Sequence, residues 1–258
     1  MLVAENIEYK VGHKYILNDC SVSFEAGRFH VIMGANGAGK STLLKLLAGS
    51  IHSTAGAVYL DQKKINHYKS RELAKLRAVL SQHYSISFPV TTHEIVLMGR
   101  YPYFNTSPSS NDLDICEKAM ELMQVLELKE RDYATLSGGE AQKVQMSRVL
   151  SQIWRTNEED KKILFLDEPV SHLDIKYQHQ LLNVAKELCK KHVTVIAILH
   201  DINLALTYAD RILFMKQGKI FYETHSSKEV TTTIIKDIFD IEARIIEQGS
   251  GHRPVVVF

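Results

Sequence analysis

The chain has 258 residues, 45% of them hydrophobic and 24% charged, enough for one large α/β domain with a sizeable core, with or without a helical insertion. Its 31 basic and 30 acidic residues leave a formal charge of +1, which argues against a nucleic-acid-binding surface. Cys20, Cys116 and Cys189 are few and widely spaced, which fits a reducing cytosol and argues against a disulfide framework or a cysteine metal site.

Taken from the N-terminus, Met1-Leu2-Val3-Ala4-Glu5 lacks the basic and apolar regions of a signal peptide. Phe29 to Met33 predicts a buried strand that runs straight into Gly34-Ala35-Asn36-Gly37-Ala38-Gly39-Lys40-Ser41-Thr42, a match to G-x-x-x-x-G-K-[ST]. Lys40 to Ala48, carrying Leu43, Leu44, Leu46 and Leu47, predicts a central helix that Gly49 ends. Ala78 to Ser81 reads as a strand. Thr91 to Gly99 reads as a helix, followed by a turn-rich stretch from Tyr101 to Ser110. Asn111 is expected to cap the next helix, where Ile115, Ala119, Leu122, Met123 and Leu126 recur at helical spacing. Ser137 is expected to cap another, reaching about Gln152.

No strand signal occurs between about residues 91 and 155. This stretch is therefore expected to form a helical subdomain within a single domain, its α/β core supplied by residues 1–90 and 160–258. Trp154 to Lys162 reads as a polar, exposed loop. Ile163 to Leu166 and Val193 to Leu199 are continuous apolar runs of the kind buried on both faces of a parallel sheet, with a helix from Asp174 to Cys189 between them. From Arg211 the pattern is a hairpin turning at Gln217-Gly218, a short helix and further strand. No apolar run is long enough to span a bilayer, so a membrane role requires a partner.

The glycine loop predicts a phosphate cradle. Backbone N–H groups without side chains can approach phosphate oxygens closely, and the following helix adds its positive end. Lys40 would reach the β- and γ-phosphates, and the Ser41 hydroxyl would ligate Mg²⁺. Lys162 to Glu168 is an apolar strand ending in two carboxylates, Asp167 to hold Mg²⁺ and Glu168 to polarise the attacking water. Leu136-Ser137-Gly138-Gly139-Glu140 opens a second helix with another phosphate-ready turn, most simply explained if two copies close on each other's nucleotide.

With these motifs in this order, the whole chain resembles the nucleotide-binding subunit of ATP-binding cassette (ABC) transporters. Leu136 to Glu140 is similar to the family's signature motif, Gln82 to its glutamine loop, Ser171-His172-Leu173-Asp174 to the loop that crosses the dimer interface, and His200 to its switch histidine. The resemblance implies a P-loop NTPase core with a RecA-like, mainly parallel sheet and flanking helices, joined by an antiparallel β subdomain and the inserted helical subdomain. It implies ATP and Mg²⁺ as ligands, with Gly34, Asn36, Gly37, Ala38, Gly39, Lys40, Ser41, Thr42, Ser137, Gly138, Gly139 and Asp174 around the nucleotide. Ser41, Gln82 and Asp167 would face the metal, and Lys40, Gln82, Glu168 and His200 would serve hydrolysis.

The implied partners are a second copy, with two ATP at the shared interface, an integral-membrane permease, and indirectly a periplasmic or lipid-anchored substrate-binding protein. The implied location is peripheral, at the cytoplasmic face of the inner membrane. Arg77 to His83, Phe88 to Thr91 and Met98 to Pro102 are similar to importers of iron chelates, haem and corrinoids, and Arg148 to Trp154 with the polar insertion after it, together with Leu199 to Ala205, looks most like the haemin branch. Ferric siderophore and vitamin B12 import remain alternatives, as do efflux and non-transport ATPases of the same superfamily. The sequence departs from the family at Ala35, where proline is frequent, at Val170, where threonine is frequent, and at Val11, which aligns with the aromatic that stacks on adenine; Tyr9 and Tyr15 are candidate substitutes.

Overall fold

The computed structural model describes residues 1–81, 88–154, 161–171, 173–247 and 253–258. It resolves into two compact units, one formed by Met1–Tyr68 with Thr194–Phe258, the other by Lys69–Val193.

The first unit begins with long strands β1 (Leu2–Val11) and β2 (Lys14–Phe24), antiparallel to each other. Strand β3 (Phe29–Met33) is buried along its whole length, as its unbroken apolar run requires. It leads through the glycine loop into α1 (Lys40–Leu47), in which Leu43, Leu44, Leu46 and Leu47 are all buried. Strands β4 (Ala55–Leu60) and β5 (Lys63–Lys64) complete an antiparallel sheet in the order β2-β1-β4-β5.

The second unit opens with α2 (Ser70–Leu76), a short helix that the sequence reading did not separate from its surroundings, and β6 (Arg77–Leu80). Helix α3 (Thr92–Leu97) starts from a reciprocal cap, Thr91 Oγ1 accepting from Glu94 N while a Glu94 carboxylate oxygen accepts from Thr91 N. Helix α4 (Ser110–Leu122) is capped by Ser109, not by Asn111. Ser109 Oγ accepts from Asp112 N and Asp112 Oδ2 accepts from Ser109 N, a two-way arrangement open to a serine three residues before an acid. Ile115, Ala119 and Met123 form the buried stripe of α4, whereas Leu122 is 42% exposed, one residue off that stripe.

Helix α5 (Gly138–Gln152) follows the Ser137 cap, and buried β7 (Lys162–Asp167) pairs in parallel with β6. Gly99 lets α5 come close: a Cβ there would stand 2.2 Å from Arg148 O and 2.3 Å from Ser151 Oγ. Helix α6 (Ile175–Lys190), capped by Asp174, ends the unit.

The chain returns to the first unit with β8 (Val193–Ile198), α7 (Ile202–Tyr208), β9 (Arg211–Lys216) and β10 (Lys219–Thr224). Strands β8 and β9 flank β3 in parallel, and β10 folds back on β9. The hairpin turns at Gln217 and Gly218, both at positive φ, as a two-residue turn between twisted strands demands. Helix α8 (Thr232–Phe239) and the antiparallel pair β11 (Arg244–Ile246) and β12 (Val255–Val257) close the chain. Among the described residues, no helix is long and apolar enough to cross a membrane.

Candidate functional site

In the first unit, β3 delivers the glycine loop at its C-terminal end. Beside it, in parallel register, β8 pairs Ile198 with Ile32, so His200 emerges at the same sheet edge as Gly34. Carboxyl ends of adjacent parallel strands are where open α/β sheets bind their ligands. Ala35, Asn36 and Gly37 are exposed at the loop's tip, while Gly34, Ala38 and Lys40 are buried at its base. Lys40 Nζ donates to Gly34 O at 2.8 Å and to Ala35 O at 3.0 Å, so the cation is held over the loop's own carbonyls. The N-cap of α1, Gly39, makes no side-chain cap hydrogen bond, and a helix N-terminus is a favourable place for an anion.

The loop's shape comes from distant chain. Gly218 N donates to Ala38 O at 3.1 Å, and Gly218 O accepts from Asn18 N at 3.0 Å. A Cβ on Gly39 would meet Leu17 Cδ2 at 2.8 Å and Ile16 O at 2.9 Å. Gly218, Ile16 and Leu17 thus shape the loop's outer wall. Their role was not legible from the sequence, in which Gly218 reads as a hairpin residue and Ile16 and Leu17 belong to no motif.

In the second unit, parallel pairing of Leu80 with Leu166 sets Ser81 and Asp167 at neighbouring strand ends. Asp167 is 5% exposed. Glu168 follows in a left-handed backbone conformation, φ 52°, rare for a residue with a side chain. Its carbonyl accepts from Ser171 Oγ at 3.2 Å. Gln82 and His172 lie outside the described residues.

The same unit carries the Ser137 helix start. Ser137 Oγ accepts from Glu140 N at 3.3 Å and donates to Glu140 Oε2 at 2.7 Å. The Ser137 hydroxyl and backbone N–H, both donating to Glu140 Oε2, hold that carboxyl below the usual carboxylate range. Gly138 has helical backbone, and a Cβ there would meet nothing within 4 Å; at Gly139 the nearest atom, Leu173 Cδ2, is at an ordinary 3.8 Å. Internal packing therefore does not require glycine at either place, and glycine is a poorer helix former than alanine. A bare helix start suits close approach by a ligand. Asp174, on the other side of the Glu168 turn, caps α6 by accepting from Tyr177 N at 3.0 Å.

For the base, Val11 is 59% exposed and Tyr15 44% exposed, with Lys10 Nζ 4.1 Å from the Tyr15 ring centroid. Tyr9 pairs across the sheet with Leu17.

The family model described as "ABC transporter" matches residues 17–171. The chain is 37% identical over its full length to the hemin import ATP-binding protein of Gloeobacter violaceus, covering 94% of that protein. It is 40% identical to the corresponding protein of Rhodopseudomonas palustris over 97% of this chain and 92% of that one. Among solved structures, it is similar to an ATP-binding cassette captured as a dimer in a post-hydrolysis state with ADP and Pi, with 26% identity, TM-score 0.76, and coverage of 87% of this chain and 98% of that one. A nucleotide-free cassette from an ABC transporter matches at 25% identity and TM-score 0.76, covering 93% of this chain and 95% of that one. Glycine loop, carboxylate-ended strand and serine-capped helix start thus stand in a chain that, by sequence and by fold, belongs to the ABC transporter family.

Proposed function

We propose that this protein is the ATP-hydrolysing subunit of an importer that carries haemin through a partner permease, working as a homodimer at the cytoplasmic face of the membrane. The observation that carries the cargo is the full-length similarity, 35–40% identical, to proteins described as hemin import ATP-binding proteins. The bare Ser137-Gly138-Gly139 helix start supports pairing, since a helix opened to close approach fits a second copy's γ-phosphate.

On this reading the loop from Gly34 to Thr42 wraps the phosphates and Lys40 offsets their charge. Glu168 takes the proton of the attacking water, His200 touches the γ-phosphate, and Gln82 faces the metal and senses the membrane partner. Ser137, Gly138 and Gly139 of the other copy, with Asp174, complete the enclosure. The hydroxyl of Ser41 and the carboxylate of Asp167 are hard oxygen donors of the kind magnesium takes, and the ion, when bound with ATP, supplies charge neutralisation on the phosphates. A substrate-binding protein outside the membrane would deliver cargo to the permease without touching this subunit.

The test is uptake into vesicles containing the cognate permease, with haemin, a ferric siderophore and vitamin B12 offered separately. ATP-dependent accumulation of haemin is the expected result; uptake of either other compound in its place would reassign the cargo. In the same vesicles Glu168→Gln should bind ATP yet lose turnover by at least about 10²-fold, the lower end of a general base's contribution. Unchanged hydrolysis would remove Glu168 from that role.

A further inference from the structure

The side chain of Gln142, in the second turn of α5, is not among the residues the motifs assign. It is 8% exposed, and its Nε2 donates to Pro169 O at 2.9 Å. Pro169 is joined directly to Glu168, whose left-handed backbone needs support from its surroundings to persist. Ser171 supports it locally, its Oγ and N donating to Glu168 O at 3.2 and 3.5 Å. A further support comes from the helix that Ser137 caps.

A neighbouring contact runs from α5 to the start of α6: Lys143, 8% exposed, places Nζ 3.3 Å from the Tyr177 ring centroid. Gln178 in turn donates to Leu173 O at 2.9 Å, tying the end of the turn to α6. Of these, the Gln142 bond alone reaches the residue next to the carboxylate. An amide buried on a helix flank is costly unless its donor is used, and here the acceptor is a proline carbonyl beside Glu168.

We propose that Gln142 is a positioning residue for hydrolysis: it locks the Glu168–Pro169 backbone to the Ser137 helix, so that the two move as one body. This rests on the function proposed above, in which Ser137 and Glu168 of one copy serve different nucleotides. Gln142 then links the two ATP sites within each subunit, and displacement of the turn at one site moves the clamp at the other. The coupling is conformational and needs no further reactant.

The experiment uses the full-length protein with its permease and compares wild type, Gln142→Met, which keeps the volume but loses the donor, and Glu168→Gln. The expected result for Gln142→Met is a kcat lowered by at least about tenfold with KM for ATP within about twofold, and loss of any cooperativity in ATP, because a displaced catalytic group costs rate more than binding. Thermal stability of the nucleotide-bound protein should fall far less than activity. A wild-type kcat for Gln142→Met alongside an inactive Glu168→Gln overturns the positioning role and leaves the proposed function intact. A parallel loss of kcat, ATP affinity and thermal stability also overturns it, marking Gln142 as packing alone. Full hydrolysis by Glu168→Gln defeats the underlying reading itself.

Discussion

Gly34 lies against the carbonyl of Met215 so closely that a Cβ on it would stand 2.2 Å from that oxygen. The obstruction is backbone at the end of β9, and Gly34 also sits at φ 150°, so neither partner can yield cheaply. Gly37, at φ 79°, has nothing within 4 Å of its missing Cβ. Gly34→Ala should therefore cost more than about 2 kcal/mol in urea unfolding, and Gly37→Ala about 1 kcal/mol from the left-handed backbone alone. Equal losses would show that the Met215 contact does not constrain the loop.

The exposed Ser137 and Gly138 predict the behaviour of a charged, bulky replacement. In a Glu168→Gln background, which retains ATP, Ser137→Arg should abolish the ATP-driven dimer seen by size-exclusion chromatography while the isolated subunit still binds nucleotide. A persistent dimer would mean that the bare helix start faces no second copy.

Arg100 and Asp112 make a buried ion pair, Nε to Oδ1 2.9 Å, with side chains 3% and 7% exposed. The same Asp112 caps α4 through Ser109, and Arg100 also donates to Ser151 O at 2.9 Å. Removing one member leaves the other charged and without its counter-ion, so Asp112→Ala should destabilise the protein by about 3 kcal/mol or more. The measurement is the chemical denaturation midpoint at fixed pH. A shift matching an exposed surface pair, about 1 kcal/mol or less, would contradict the burial.

His30, the second residue of β3, should make stability depend on pH. Burial pushes its imidazole down to about 4; the Glu25 carbonyl, 2.9 Å from Nε2, opposes that, the Arg211 charge adds to it, and the charges of Glu25 and Asp210 oppose it weakly. The folded state thus keeps His30 neutral where the unfolded chain would protonate it. Its contribution is complete above about pH 6.5 and is lost as pH falls towards 4, up to about 3 kcal/mol across that interval. His30→Gln should flatten the unfolding free energy between pH 7 and 4.5 relative to wild type. Identical slopes would show that His30 does not carry this term.

Much of the fold was legible because its signals are local. The apolar runs at Phe29–Met33, Lys162–Asp167 and Val193–Ile198 leave few alternatives to buried parallel strands, and Gln217-Gly218 is a turn by backbone conformation alone. The Ser137 cap was readable because the acid three residues on completes it. That same rule applied at Ser109 and Asp112, but Asn111, itself a favoured cap residue, competed with it in the sequence. Which one caps depends on where the preceding chain turns into the helix, a property of the packed unit. Leu122 was misplaced for a similar reason: at helical spacing it borders the stripe, and only the packed partners decide which side of the border is covered.

The order of residues by itself determined the chemistry on offer: a glycine loop with its lysine, a strand ending in Asp167 and Glu168, and a serine that opens a helix on two glycines. Each depends on contiguous residues, and contiguity is what a sequence records. Tertiary structure alone decided that Met215 and Gly218 shape the glycine loop, that His30 is held neutral beside Arg211, and that Gln142 grips the carbonyl next to Glu168. These pairs lie tens to nearly two hundred residues apart, and no local propensity brings them together. Burial of the apolar strands and helices between them does so, and hydrogen bonding of the enclosed polar groups then fixes the geometry.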